Sequence, residues 1–286
     1  MSYQIITDTA CDFPTEMYKE LDLIAVPLTV LYKGESYTEY TEEWLKGLFD
    51  GLRAGEMAST SAINPDGWAT AIEPVLQQGK DALVLTFSSG LSTTYQSAMI
   101  AADELLEKYP DRTIRVVDTL CASLGQGLLV WYACKKRDEG LSLDELYAWC
   151  EKNKMNLAHW FTVDDLMFLK RGGRISAATA LLGTMLNIKP VLHVDDEGHL
   201  ISVSKCRGRK AALNALVKKL ETDGIPGENE TVFISHGDCL EDAQYVADQV
   251  KEKYGVKTVV IGYVGAVIGS HSGPGTVAFF YLGEHR

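Results

Sequence analysis

The sequence predicts an α/β protein with two domains. In the first half, apolar runs rich in β-branched residues alternate with helical patterns, which predicts a largely parallel sheet flanked by helices. In the second half, the runs KPVLHV and HLISVSK flank an Asp-Glu-Gly turn, which predicts an antiparallel hairpin and hence a mixed sheet. The length of 286 residues agrees with two domains of ~150 residues each.

The predicted N-terminal domain, residues 1–155, follows from its elements in chain order. YQIIT forms a strand, PTEMYKEL a helix with Pro14 at its start, and LIAVPLTVLY a second strand. DALVLTF at 81–87 forms the next strand, and a helix over about 94–108 and the strand TIRVVDT at 113–119 follow it. Two further helices extend to about residue 155, where the pattern changes.

The predicted C-terminal domain, residues 156–286, begins with HWFTVDDLMFLKRGGRIS, a strand followed by a helix. After the hairpin come a helix over 209–222, the strand TVFISH, another helix and the strand KTVVIGYVG. The segment from Val259 to Leu282 carries no Asp, Glu, Lys or Arg and, at ~20 or more residues, is long enough to cross a bilayer as a helix. Its five glycines and Pro274 break such a helix, so a strand, a glycine loop and a second strand are predicted instead.

Charge and cysteine content exclude several classes of protein. A net charge of −12 disfavours nucleic acid and anionic membranes as partners, because both attract basic surfaces. The six cysteines form no C-x-x-C pair and no zinc-like spacing, so we expect reduced thiols and no bound metal. The N-terminus shows no basic segment followed by an apolar one. We therefore expect a cytoplasmic protein without stable insertion in a membrane.

The stretch TFSSGLSTTYQSA, residues 86–98, contains seven Ser and Thr side chains between a strand and a helix. Ligands of parallel sheets bind beyond the carboxyl ends of strands, which is where these hydroxyl groups lie. The unpaired N–H groups at a helix start and the neighbouring hydroxyls suit a carboxylate or a phosphate. The alternative is that Ser92 or Thr93 only caps the helix. Asp8 and Asp118 follow strands in the same way and either orient this loop or cap helices.

Two catalytic alternatives are weaker. A serine hydrolase would place Ser92 in a G-x-S-x-G turn, but the residues are Gly90-Leu91-Ser92-Thr93-Thr94, and Thr94 takes the place of the second glycine. A phosphoryl-transfer enzyme would need a phosphate-binding loop, and the sequence contains no G-x-x-x-x-G-K-[ST] motif. The hydrolase stays the alternative function.

An ordered set of motifs spans nearly the whole chain and resembles the DegV family. The motifs are TFSSGLSTTYQSA, the Thr60-Ser61 pair, VVDT at 116–119, RGGRIS at 171–176, KPVL at 189–192, KCRGR at 205–209, SHGD at 235–238 and GSHSGPG at 269–275. The resemblance implies a two-domain α/β fold that binds a long-chain fatty acid between the domains. It also implies a carrier without catalytic residues or a cofactor. Such a carrier presents the acyl carboxylate to a separate ATP-binding fatty acid kinase subunit, which forms an acyl phosphate for phospholipid synthesis.

The resemblance also implies site residues. The carboxylate-binding residues are expected to be Thr60, Ser61, Ser92 and His271, supported by Ser88, Ser89, Thr93 and Arg171, and the kinase subunit is expected to dock on Arg174, Arg207 and Arg209. The chain departs from the family at Thr93, where relatives usually have Gly, and at Ala62-Ile63-Asn64, where they often have Gln-Pro-Ser.

The residues themselves leave a structural role open for several of these positions. His271 is either a site residue or a loop histidine, and Arg207 and Arg209 belong to a basic cluster that is either a docking patch or a solvated helix start. Four other histidines, at positions 159, 193, 199 and 236, are expected to have structural roles. Residues that line an acyl tunnel cannot be distinguished by periodicity from residues of the core.

Overall fold

The computed structural model describes residues 3–176 and 187–286. Its strands are β1 (Tyr3–Asp8), β2 (Ile24–Val26), β3 (Thr29–Tyr32), β4 (Glu35–Tyr37), β5 (Ala58–Ser61), β6 (Asp81–Thr86), β7 (Ile114–Asp118), β8 (Leu157–Thr162), β9 (Ile188–Val194), β10 (Leu200–Arg207), β11 (Thr231–His236), β12 (Thr258–Tyr263) and β13 (Val277–Leu282). Its α-helices are α1 (Thr15–Glu20), α2 (Glu42–Arg53), α3 (Pro65–Gln77), α4 (Thr94–Lys108), α5 (Leu124–Asp138), α6 (Leu143–Asn153), α7 (Met167–Arg171), α8 (Arg209–Asp223), α9 (Leu240–Tyr254) and α10 (Ala266–Ser272).

Sheet A is parallel and has the strand order β2-β1-β6-β7. Side chains alternate between its two faces, so neighbouring residues enter different cores. Ile5 and Leu83 pack in one core with α5 and α6, whereas Ile6 and Val84 pack in another with α3 and α4. The predicted parallel sheet with helices on both faces is confirmed.

Sheet C is mixed and has the strand order β10-β9-β8-β13-β11-β12, in which only the β11–β12 pair is parallel. The predicted hairpin is present as the antiparallel pair β9–β10. Helix α5 connects the two sheets, because Trp131 lies 5.9 Å from the ring of Phe233 in β11. The domain boundary near residue 155 stays a prediction, and the described strands of sheet C begin at Leu157.

A third, antiparallel sheet was not predicted. The run LIAVPLTVLY is two strands rather than one, because Pro27 has no N–H to donate and separates β2 of sheet A from β3. Strand β3 pairs with β4 and β5 to form sheet B. Strand β5 carries Thr60, and Asn64 then begins α3 by accepting a hydrogen bond from the Gly67 N–H at 2.8 Å.

The prediction of a glycine loop between the last two strands is wrong. Residues 266–272 form the short helix α10. Gly269 belongs to this helix for a packing reason, because a Cβ there would lie 2.8 Å from the ring of Phe49. The helix ends at Gly273, whose φ of +79° favours glycine. In the described part of the chain, no helix combines the length and the apolar character needed to cross a membrane.

Candidate functional site

A cavity of about 450 Å³ lies among the ends of sheets A, B and C. Most of its wall is apolar, as expected of a small-molecule site. The apolar lining residues are Leu28, Ala62, Phe87, Leu91, Ala122, Phe161, Leu169, Val194, Leu200, Val264, Val267, Ile268, Ala278 and Phe280. Polar side chains from several separate segments line the rest of the wall, and some of them are the residues that the sequence singles out.

Thr60 and His271 form the central polar contact of this wall. The Thr60 hydroxyl in β5 lies 2.7 Å from His271 Nε2 in the last turn of α10, and both side chains are half-buried. Burial, and then the positive charge of Arg174, lower the pKa of His271 from 6.5 to about 4. The imidazole is therefore neutral near pH 7. Gly172 makes room for the ring, because a Cβ there would lie 2.1 Å from His271 Nδ1.

Two carboxylates orient the hydroxyl-rich loop. Asp8 accepts a hydrogen bond from the Phe87 N–H at 2.7 Å, and Asp118 accepts one from the Ser89 N–H at 3.1 Å. Asp8 also accepts from Ala10 N–H, so it caps a short helix as well. Of the two roles left open by the sequence, loop orientation applies to both residues.

Ser92 lines the cavity and also accepts a hydrogen bond from the first residue of α4. Its Oγ accepts a hydrogen bond from the Thr94 N–H at 3.2 Å and lies 2.8 Å from the Thr94 hydroxyl. Within the described residues, the hydrogen bonds of its side chain go to Thr94 alone. A serine nucleophile is activated by an adjacent base, and no His, Asp or Glu contacts Ser92 in this part of the chain. The geometry does not favour the hydrolase.

The other serines and threonines that were expected to bind or support the carboxylate divide into two groups. Ser61, Ser89 and Thr93 line the cavity together with Ser92, and both Ser61 and Thr93 are exposed. Ser88 does not belong to the lining. It is fully buried and donates to the Gly198 carbonyl at 2.9 Å, which ties the loop to the β9–β10 turn.

Arg174 connects the hydroxyl loop to the Arg-Gly-Gly-Arg turn. Its guanidinium donates to the Leu91 carbonyl at 2.9 and 3.2 Å and also to the Gly172 carbonyl, and it lines the cavity. This residue therefore holds the peptide that precedes Ser92 next to the glycine that supports His271. Its predicted role in docking stays a prediction.

A second cavity of about 270 Å³ reaches the same polar residues. Thr60, Arg174 and His271 line both cavities. Arg171 lines only the second, where its guanidinium lies 4.6 Å from the centre of the Phe168 ring. The structure therefore places Arg171 in a separate opening that also reaches Thr60 and His271.

The two other predicted docking residues differ from each other. Arg207 is exposed on β10. Arg209 begins α8 and forms ion pairs with Asp242 at 2.8 Å and with Asp164 at 3.7 Å. An arginine held in this way is less available to a partner, so only Arg207 presents an exposed charge.

One group of side chains in the described residues has the spacing of a metal site. Ligand atoms of Asp195, Glu197 and His199 lie within 4.8 Å of one another in the β9–β10 turn. Glu197 and His199 are exposed, and Asp195 accepts hydrogen bonds from both of their backbone N–H groups. This is the chemistry of a turn, and it explains the cluster without a metal.

Comparisons with known proteins identify the family of this chain. A family model described as "Uncharacterised protein, DegV family" matches residues 2–284. The chain belongs to the DegV family. A DegV domain-containing protein from Clostridium perfringens is 47% identical over 286 residues, which cover 99% of this chain and 98% of the relative.

Solved DegV structures share the fold. A fatty-acid-binding DegV protein from Thermus thermophilus superposes with a TM-score of 0.87 and 35% identity, over 99% of this chain and 100% of the other. A Thermotoga maritima protein reported to have a fatty acid binding function gives a TM-score of 0.84 and 30% identity, over 99% of each chain. Both match the two-domain α/β architecture of this DegV-family chain.

The sequence missed several polar residues of the cavity wall. Ser123, at the start of α5, lines the cavity and donates to the buried carboxylate of Asp12 at 2.5 Å. Burial raises the pKa of Asp12 to about 7. His159, assigned above to a structural role, and Ser272 also line the cavity. Among these, only Ser272 lay inside a family motif, so the sequence carried no signal for the other two lining residues.

Proposed function

We propose that this protein binds one long-chain fatty acid in the 450 Å³ cavity and presents its carboxylate to a separate ATP-dependent kinase subunit. The observation that carries the proposal is the Thr60–His271 contact, which shares with Ser92 the wall of a mostly apolar cavity. An acyl chain suits the apolar wall, and its carboxylate suits the hydroxyl donors. The fatty acids bound by the Thermus and Thermotoga relatives support the same ligand class.

The proposed head-group site is made of neutral donors. A carboxylate taken out of water needs hydrogen bonds to offset a desolvation cost of several kcal/mol. Thr60 and Ser92 supply hydroxyls, and His271 is neutral because its pKa is about 4. Neutral donors withdraw less charge from the carboxylate than a bidentate arginine does, so the oxygen keeps its nucleophilicity toward a phosphoryl group.

The second cavity offers a route for the phosphoryl donor. It reaches Thr60 and His271 from the opening that Arg171 lines, so a phosphate there would meet a positive charge. Phosphoryl transfer depends on positioning and on charge stabilisation, which a kinase subunit with bound ATP supplies. In this scheme the chain contributes the bound acid and its alignment, and the chemistry belongs to the partner.

Mass spectrometry of the purified protein tests the proposal. Denaturing extraction should release about one long-chain acid per chain, and delipidated protein should rebind oleate or palmitate. With ATP and a matching kinase subunit, the bound acid should become an acyl phosphate. Protein that is consistently empty and refuses both acids would contradict binding, whereas binding without acyl phosphate would contradict only the kinase partnership.

A further inference from the structure

Arg286 is a buried arginine with no carboxylate partner among the described residues. It follows β13 by four residues and is 9% exposed. A buried arginine is ordinarily paired with a carboxylate, because an unpaired charge is costly to take out of water. The guanidinium of Arg286 instead donates to backbone carbonyl groups, and its Nε finds no acceptor in the described part of the chain. The carbonyl groups that it contacts indicate what this costly arrangement holds in place.

These carbonyl groups belong to three separate segments. Nη1 donates to the Leu120 carbonyl at 2.5 Å, and Nη2 donates to the Thr119 carbonyl at 3.2 Å. Nη2 also donates to the Lys154 carbonyl at 2.9 Å, and Nη1 lies 3.5 Å from the Asp195 carbonyl oxygen in the β9–β10 turn. Arg286 therefore joins the segment after β7 to the residue that follows α6 and to sheet C.

The segment after β7, residues 119–121, pairs with the hydroxyl-rich loop. The Ser88 N–H donates to the Cys121 carbonyl at 3.0 Å. The Ser88 carbonyl in turn accepts a hydrogen bond from the Ser92 N–H at 3.1 Å. A continuous series of contacts therefore connects the guanidinium of Arg286 to Ser92, a proposed donor to the carboxylate.

Leu120 adopts an unusual backbone conformation within this segment. Its φ of +55° lies in the left-handed region, which residues other than glycine disfavour. Its N–H donates to the Asp118 carboxylate at 3.1 Å, and the same oxygen accepts a hydrogen bond from the Ser89 N–H at 3.1 Å. The hydrogen bond from Arg286 to the Leu120 carbonyl therefore stabilises a conformation that keeps Asp118 in contact with the loop.

We propose that Arg286 is a positioning residue for the carboxylate site: its guanidinium fixes residues 119–121, and these fix Ser89 and Ser92 at the cavity wall. This role rests on the proposed function and adds a residue that lines neither cavity described above. Hydrogen bonds to a carboxylate need donors held in place, whereas an apolar wall contacts the tail without such precision. Loss of Arg286 should therefore weaken recognition of the carboxylate more than burial of the tail.

Two ligands of the same chain length distinguish these effects. Dissociation constants of palmitate and hexadecan-1-ol are measured for delipidated wild-type protein and for Arg286→Met, which keeps an unbranched side chain but removes every donor. We expect the affinity for palmitate to fall about tenfold and that for hexadecanol to fall less than about threefold. Equal losses for both ligands, or no loss for either, would overturn the proposed role. Wild-type protein that binds neither ligand would contradict the proposed function, and the role of Arg286 with it.

Arg137→Met is the matched control. Arg137 is also buried, at 6% exposed, but it pairs with Asp138 in α5 and lines neither cavity. Its replacement should lower the melting temperature and leave the ratio of the two affinities unchanged. Amide hydrogen exchange over residues 86–93 should be faster in Arg286→Met but not in Arg137→Met, because only the first variant releases the loop. Faster exchange across the whole chain in Arg286→Met would make Arg286 a structural residue only.

Arg286→Lys decides the question if Arg286→Met does not fold. This variant keeps the charge, but a single nitrogen cannot reproduce the separate contacts that Nη1 and Nη2 make with Leu120 and Thr119. The preference for palmitate over hexadecanol should therefore fall below that of the wild type. A wild-type preference in Arg286→Lys, together with wild-type hydrogen exchange over residues 86–93, would overturn the proposed role.

Discussion

The Thr60 hydroxyl lies 2.7 Å from His271 Nε2, although the two residues are 211 positions apart in the chain. Strand β5 of sheet B brings one residue and the last turn of α10 brings the other. Two glycines make the contact sterically feasible, since Gly269 lets α10 approach Phe49 and Gly172 leaves space for the imidazole. The contact therefore depends on sheet B, α10 and the Arg-Gly-Gly-Arg turn together.

Replacement of His271 by alanine should separate binding from presentation. The variant loses one polar partner of the head group, so fatty acid affinity should fall by about 1–3 kcal/mol while the apolar wall still holds the tail. The yield of acyl phosphate should fall further, because a displaced carboxylate loses the alignment that in-line transfer requires. Binding titrations and a kinase-coupled assay measure the two effects. Unchanged values for both would make His271 a structural residue, and His199→Ala, an exposed histidine, is the control.

Replacement of Gly172 by alanine should reproduce that phenotype without touching a polar group. The added Cβ would lie 2.1 Å from His271 Nδ1, so the ring must move away from Thr60. As in His271→Ala, we expect fatty acid affinity to fall and the yield of acyl phosphate to fall further. The matched control is Gly47→Ala in α2, where a Cβ meets nothing within 4 Å and alanine favours the helix. Normal phosphorylation in Gly172→Ala would show that the ring tolerates the displacement.

The sequence predicted the parts of the site that depend on local rules. Ser92 and Ser89 follow β6, and ligands gather at the carboxyl ends of parallel strands, so this loop could be found from the strand pattern. Thr60 and His271 were supplied only by the family resemblance. Sheet B has strands of three or four residues, too short for a periodic signal, and the glycines of α10 conceal a helix that tertiary packing stabilises. The burial of His159 against Gly125 is likewise a long-range contact.

Ser92 should act as a hydrogen-bond donor and not as a nucleophile. A fluorophosphonate probe should leave it unlabelled, because the hydroxyl contacts Thr94 and no base among the described residues. Ser92→Ala should weaken fatty acid binding and lower the free energy of unfolding by about 1 kcal/mol, because the Thr94 N–H at the start of α4 loses its hydrogen bond. Intact-mass spectrometry and thermal denaturation make these measurements. A covalent adduct on Ser92 would contradict this role and support the serine hydrolase hypothesis.

The depressed pKa of His271 should make its contribution to stability depend on pH. In the folded protein the pKa is about 4, against 6.5 for an unperturbed histidine, so between these values the unfolded chain binds the extra proton. Stability relative to a His271→Gln variant should therefore be highest above pH 6.5 and should fall as the pH drops toward 4. Comparing the two proteins cancels the opposite effects of Asp8 and Asp12, whose pKa values are raised. Parallel unfolding curves for the two proteins from pH 7 to 4 would contradict the shift.

Charge reversal at Arg207 and at Arg209 should have different consequences, because only the second arginine is engaged within the chain. Arg207→Glu changes an exposed side chain on β10, so folding and fatty acid binding should be preserved. If Arg207 docks the kinase subunit, the coupled reaction should weaken most at low salt, where surface charges are least screened. Lys253→Glu, an exposed site in the last turn of α9, is the control for net charge.

Arg209→Glu should instead lower the melting temperature. The new carboxylate would face Asp242 and Asp164 in place of the ion pair that now joins α8 to α9. The same repulsion would move the start of α8, so any loss of kinase coupling in this variant would accompany loss of stability. Calorimetry and the coupled assay, run on both variants at two salt concentrations, distinguish a docking residue from a structural one. A stable Arg209→Glu protein with selectively impaired coupling would make Arg209 a docking residue after all, and the pair with Asp242 dispensable.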